Sequence, residues 1–225
     1  MTVFLILSAP LAAAIAYTFI GPRFGGQSSL LSDVPTRRQV LRNPIVAAVP
    51  AFIPMYALHT LLGADLFSYS PAGLFFHALL RDYLGWFAVQ STISFLLVRR
   101  VKNRPEHDQY MIHLVVATVL LSLLSVAEVV TAGPAMTVEA LFLKPLARLS
   151  LLALIPAALT VADNAHGGGW AVLALILQPV PAAAVTMLFE WIRPGAAALV
   201  LLALFVVTGG VLWAILWREP AHASH

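Results

Sequence analysis

Seven times in 225 residues the chain runs for about 20 predominantly apolar positions, the length a helix needs to cross the hydrocarbon core of a bilayer. In lipid every backbone amide has to be satisfied within its own segment, so runs of this kind are read as transmembrane helices. The predicted spans are residues 3–20, 44–62, 72–98, 110–130, 146–162, 170–190 and 196–217. The expected fold class is therefore all-α: a polytopic membrane helix bundle of about seven spans, forming one domain over residues 1–225.

Composition agrees. The chain is 60% hydrophobic and 10% charged with a mean hydropathy of +0.90, whereas a soluble domain averages about 45–50% apolar and 25% charged. The formal charge of +3 does not indicate nucleic-acid binding, because the 13 Lys and Arg residues sit mainly in short loops between apolar runs. Nine of them (Arg23, Arg37, Arg38, Arg42, Arg99, Arg100, Lys102, Arg104 and Arg218) fall on one side when the amino terminus is placed outside. The other four, Arg81, Lys144, Arg148 and Arg193, fall at the opposite ends of spans. Short cytoplasmic loops carry the basic excess, which orients the bundle N-out and C-in, as in a bacterial inner membrane. Met1 to Ile20 has no positive residue ahead of its apolar run, so it is read as a retained first span and not a secretory signal.

Loop Gly21 to Asn43 ends in SSLLSDVPTRRQVLR, with Leu30, Leu31, Val34 and Leu41 near helical spacing. It is open to two readings: a helix lying among anionic headgroups, or a docking site for a cytoplasmic partner. Pro50 and Pro54 are expected to bend the second span.

The stretch from Pro71 to Arg104 organises the rest. It crosses the bilayer, stops at a dense basic cluster, and carries His77, Arg81 and Asp82 inside its apolar run. A charged side chain at membrane depth costs about 2.5–3.5 kcal/mol even on the lenient insertion scale, so these groups should face protein or water and be paired. In the N-out arrangement they join Glu128, Arg148 and Glu190 in one outer polar layer, with His59, Asp65, Glu139, Lys144 and Arg193 nearby, while the cytoplasmic half of the bundle holds almost no charge. His77 and Arg81 share a face at i and i+4, and Arg81 requires an anion such as Asp82, Glu128 or Glu190. The layer reads either as interhelical ion pairs or as a polar vestibule for a proton path, an anion or a headgroup.

The sixth span carries Gln178-Pro179-Val180-Pro181 near its midpoint. Two prolines remove two backbone donors, so that helix is expected to kink or break, and broken helices line sites in many transporters. His59 and His77 are weak metal candidates, since imidazoles suit zinc, iron or copper but no H-x-x-x-H or H-E-x-x-H spacing supports them. No metal is therefore expected.

Several functions are excluded. The last span lacks a lysine for a retinal Schiff base, there is no phosphate-cradling G-x-x-x-x-G-K-[ST] loop and hence no nucleotide partner, and nucleophile-elbow signatures are absent. With no cysteine there is neither disulfide nor iron–sulfur cluster. No cofactor is expected beyond bound lipid. Three functions remain. The first is a non-enzymatic subunit of a larger inner-membrane complex, whose small-residue motifs pack against other membrane subunits. The second is a small proton- or ion-coupled transporter or channel using the outer polar layer. The third is a membrane enzyme acting on lipid or isoprenoid headgroups, with His77 or Glu128 as acid or base. The cysteine-free background gives a clean test of orientation. In intact cells a membrane-impermeant maleimide should label Ser68→Cys and leave Ser29→Cys unmodified, and the reverse pattern would invert the bundle.

Overall fold

The computed structural model describes residues 2–24, 38–62, 70–101, 105–132, 151–152 and 154–161, together with residues 163, 180, 183, 184 and 187. Among these described residues the structure is helical, with no strand. Helix α1 (Thr2–Ile20) runs into a 3-10 turn, Gly21–Phe24. A π turn, Arg38–Arg42, leads into α2 (Asn43–Leu62). Helix α3 (Pro71–Ala78) passes through a second π turn, Leu79–Leu84, into α4 (Gly85–Val98) and a 3-10 turn, Arg99–Val101, and α5 (Glu106–Ala132) follows.

Three stretches are long and apolar enough to cross a membrane: Ile6–Phe24, Arg38–Leu61 and Glu106–Thr131. They coincide with the first, second and fourth spans expected from the sequence. The third expected span is continuously helical, with its middle opened into the π turn that carries Arg81 and Asp82. Residues 151–152 and 154–161 of the fifth span are helical as well. The remainder of that span, the sixth apart from residues 180, 183, 184 and 187, and the seventh lie outside the described residues.

Local chemistry explains where these helices begin. Ser70 is extended and accepts a hydrogen bond from the Gly73 amide through its Oγ at 3.1 Å, with Pro71 in the first turn where its missing N–H leaves nothing unsatisfied. Helix α5 starts at Glu106, one turn ahead of the expected Tyr110. Pro105 precedes it, and Glu106 and Asp108 in its first turn complement the positive end of the helix dipole. Helix α2 stays α-helical through Pro50 and Pro54, both on its exposed side.

Helix α5 is the axis of the bundle and packs against α1, α2 and α4. On α1 the division is clean. Ala9, Ala12, Ala16 and Ile20 are buried, while Val3, Leu7, Leu11, Ile15 and Phe19 form an exposed stripe. Small side chains on the inner stripe let the two backbones approach, which matters in lipid because the tails outside are as apolar as leucine and close van der Waals packing has to drive association. Gly85 does the same between α4 and α2: a Cβ there would lie 3.2 Å from Leu58 Cδ2.

Contacts also fix the relative directions. The last turn of α1 meets the first turn of α5 through Tyr17 and His107, and the last turn of α2 meets the second π turn through His59 and Arg81. Helices α1 and α5 are therefore antiparallel, as are α2 and α4. This places Arg23, Arg38, Arg42, Arg99 and Arg100 at one end of the bundle and Arg81 toward the other.

Ala117, fully buried where α5 meets its neighbours, leaves no room for a larger side chain. Ala117→Leu should destabilise the protein by about 1–3 kcal/mol through overpacking. Val130→Leu, on a residue 76% exposed on the same helix, should leave the melting temperature in detergent unchanged.

Candidate functional site

Two polar groups lie at opposite ends of the described bundle. The first surrounds the π turn Leu79–Leu84. An α-helix that takes in one extra residue widens for a turn, and such turns occur frequently at functional sites. Here Arg81 Nη1 lies 3.5 Å from His77 Nε2, which places the two groups on one face as their spacing implies. His59 Nδ1 lies 3.3 Å from the Arg81 carbonyl, so its N–H donates across from α2. His59 and His77 thus both turn toward Arg81 and not toward a shared metal position, and among the described residues no three His, Asp or Glu side chains converge as metal ligands.

Asp82 belongs to the same π turn by its backbone. Glu128 is half-buried in the last two turns of α5. Counting about 1.5 Å per residue from the α4–α5 hairpin, His77 and Glu128 each lie about 30 Å along their helices and so at similar depth. Arg148, Glu190, Gln178, Pro179 and Pro181 lie outside the described residues.

The second group sits where α5 begins. Residues 107–114 are all buried, two full turns enclosed on every side, and they include His107, Asp108, Gln109, Tyr110 and His113. Helix α1 supplies one wall. Tyr17 Oη lies 3.3 Å from His107 Nε2, with the rings edge to face. The 3-10 turn Gly21–Phe24 closes another, Phe24 stacking on Tyr110 at 4.9 Å between centroids. From the fifth span comes Asp163, whose Oδ2 accepts from His113 Nε2 at 2.9 Å. His113 is 1% exposed and Asp163 18%, so the carboxylate is the part of the pair that reaches toward solvent.

His107 Nδ1 lies 3.7 Å from Asp108 Oδ1, within ion-pair range and too long for a hydrogen bond. The Nδ1 atoms of both histidines and the hydroxyl of Tyr110 are buried with no hydrogen-bond partner among the described residues.

The sequence starts the fourth span at residue 110 and leaves the cytoplasmic half of the bundle with almost no charge, so it does not point to this second group. The structure corrects that picture: the half of the bundle at the arginine-rich end contains two buried imidazoles and two carboxylates. A signal was present. Pro105 is a helix-start residue, which draws the polar EHDQ segment into the first turn of α5, and Asp163 follows directly on the fifth apolar run.

Chemically, an imidazole whose Nε2–H is held by a carboxylate has its other nitrogen free to take a proton, the resulting cation remaining paired with the acid. The His113–Asp163 couple has that form. The Tyr17–His107 contact adds a hydroxyl that either donates to Nε2 or accepts from it. No protein-family model, characterised protein or solved structure matches the chain.

The strength of the central bond can be measured. His113→Phe leaves Asp163 without its donor and Asp163→Ala leaves a buried ring nitrogen unmatched, so each should cost about 1–3 kcal/mol in unfolding experiments in detergent. Because they remove the same bond, the double variant should cost less than the sum of the two. Strict additivity would show that the two groups are not coupled.

Proposed function

We propose that this chain is a multi-pass protein of a bacterial inner membrane, seven spans with the amino terminus outside and the carboxy terminus inside, and that it works as a small proton- or ion-coupled transporter or channel. The observation that carries this reading is the burial of His107, Asp108 and His113 on the first two turns of α5 at the arginine-rich end of the bundle, with the partly exposed Asp163 paired to His113. Ionisable residues are costly at membrane depth and concentrate along substrate, ion and proton routes. Helices that served only as packing partners would gain nothing from two imidazoles there.

In this reading the His113–Asp163 and Tyr17–His107 pairs form the inner station of a route. The outer station is the layer of His77, Arg81, Asp82, Glu128, Arg148 and Glu190. The break that the sequence predicts at Gln178, Pro179 and Pro181 in the sixth span would supply the polar backbone between them.

The competing reading, a non-enzymatic subunit of a membrane complex, has one observation in its favour. Only 17% of the apolar window of α2 is buried, which leaves most of that helix available to lipid or to another subunit. Purification separates the two readings. A stable monomer or homodimer fits a transporter, and a particle that always contains other polypeptides fits a subunit.

The direct test is proton movement. Purified protein in liposomes loaded with a pH-sensitive dye should acidify the lumen when valinomycin and a potassium gradient impose an inside-negative potential, and His113→Gln should slow this by at least about tenfold. A rate equal to that of protein-free vesicles, or one unaffected by the substitution, would remove the cluster from any proton route.

A further inference from the structure

A different set of buried polar atoms lies on α4. Trp86, Gln90, Ser94 and Val98 recur every fourth residue and are the buried stripe of that helix, facing α2 and α5. Trp86 is 2% exposed and Gln90 0%. Ser94 accounts for itself by donating to the Gln90 carbonyl at 2.8 Å. Trp86 Nε1 and Gln90 Nε2 do not: both are buried with no hydrogen-bond partner among the described residues. The oxygen end of the Gln90 amide faces Ser91 Oγ at 3.5 Å, which leaves the nitrogen end turned toward the interior.

Residues four apart on a helix are side-by-side neighbours, so the Trp86 indole and the Gln90 amide lie on one face of α4. Their N–H groups are donors only. A buried donor without an acceptor is strongly unfavourable, and natural cores supply a partner. A partner for these donors has to bring acceptor oxygen, and a carbonyl does so without adding a buried donor that needs matching in turn.

Depth narrows the choice. Gln90 lies about 12 Å along α4 from its Val98 end, beneath the arginines at that end and within the hydrocarbon region. A phosphate or carboxylate at that depth carries the cost of a buried charge, whereas a carbonyl does not. We infer that Trp86 and Gln90 form a binding site for an apolar, membrane-dissolved molecule bearing a neutral carbonyl oxygen, which accepts from their N–H groups. This inference is independent of proton transfer by the His113–Asp163 pair, which lies on other helix faces.

Two membrane molecules offer this chemistry, the headgroup ring of an isoprenoid quinone and the ester of a glycerolipid. The experiment uses decylubiquinone and dioctanoylglycerol as separate probes, titrated into the purified full-length protein with thermal stability as the readout. One or both should raise the melting temperature saturably. Which probe does so identifies the source. Gln90→Leu and Trp86→Phe each keep the shape of the side chain and remove its donor, so each should weaken the response by about tenfold or more. Without a probe, Gln90→Leu should melt no lower than the native chain, since it removes an unmatched polar group. The inference is overturned if neither probe saturates, if both variants bind as the native protein does, or if Gln90→Leu alone lowers the unliganded melting temperature.

Discussion

Close approach of α1 and α4 to α5 is the constraint on which the rest of the bundle depends. Hydrocarbon tails compete with side chains for the same dispersion contacts, so helices stay together in lipid only where their backbones come near enough to exclude those tails. The alanine stripe of α1 permits the approach to α5, and Gly85 permits that of α4 to α2. Once it is made, whatever α5 carries on its first two turns is sealed inside. His107, Asp108, Tyr110 and His113 are buried because of how tightly α1, the Gly21–Phe24 turn and the fifth span close around them, and their hydrogen bonds follow from that enclosure.

The enclosure also explains the uneven wiring of the two ends. At the π turn, His59 and His77 bond to a backbone carbonyl and a guanidinium on neighbouring turns, contacts that a local widening of the helix makes available. At the start of α5 the partners come from far along the chain, Tyr17 being 90 residues from His107 and Asp163 50 residues from His113. The first arrangement is built by one hairpin. The second exists only when three separate spans have assembled.

That difference decides how much was legible in the sequence. Apolar run length located α1, α2 and α5 to within a turn, and the i, i+4 spacing of His77 and Arg81 indicated their shared face, because both signals are local. Averaging hydropathy over a window treats EHDQ as the edge of a span, and nothing in such an average registers that other helices cover it. Asp163 was equally hidden, since its significance lies in a partner on another helix. The prolines of α2 show another limit: Pro50 and Pro54 lie inside the helix without ending it, and it runs from Asn43 to Leu62.

The π turn has a consequence for how α3 and α4 are phased. Six residues from Leu79 to Leu84 occupy roughly the axial length of five, so everything before them is rotated about 100° relative to an unbroken α-helix. The direction of His77, whose ring meets Arg81, is therefore set by the one surplus residue that the chain carries at that point. Removing a single residue between Leu79 and Leu84 would keep the segment helical and nearly as apolar, yet it would swing His77 and Phe76 around the barrel of the helix and exchange an inward imidazole for an outward one. The geometry of that end of the bundle is thus held by a count of residues as much as by their identities.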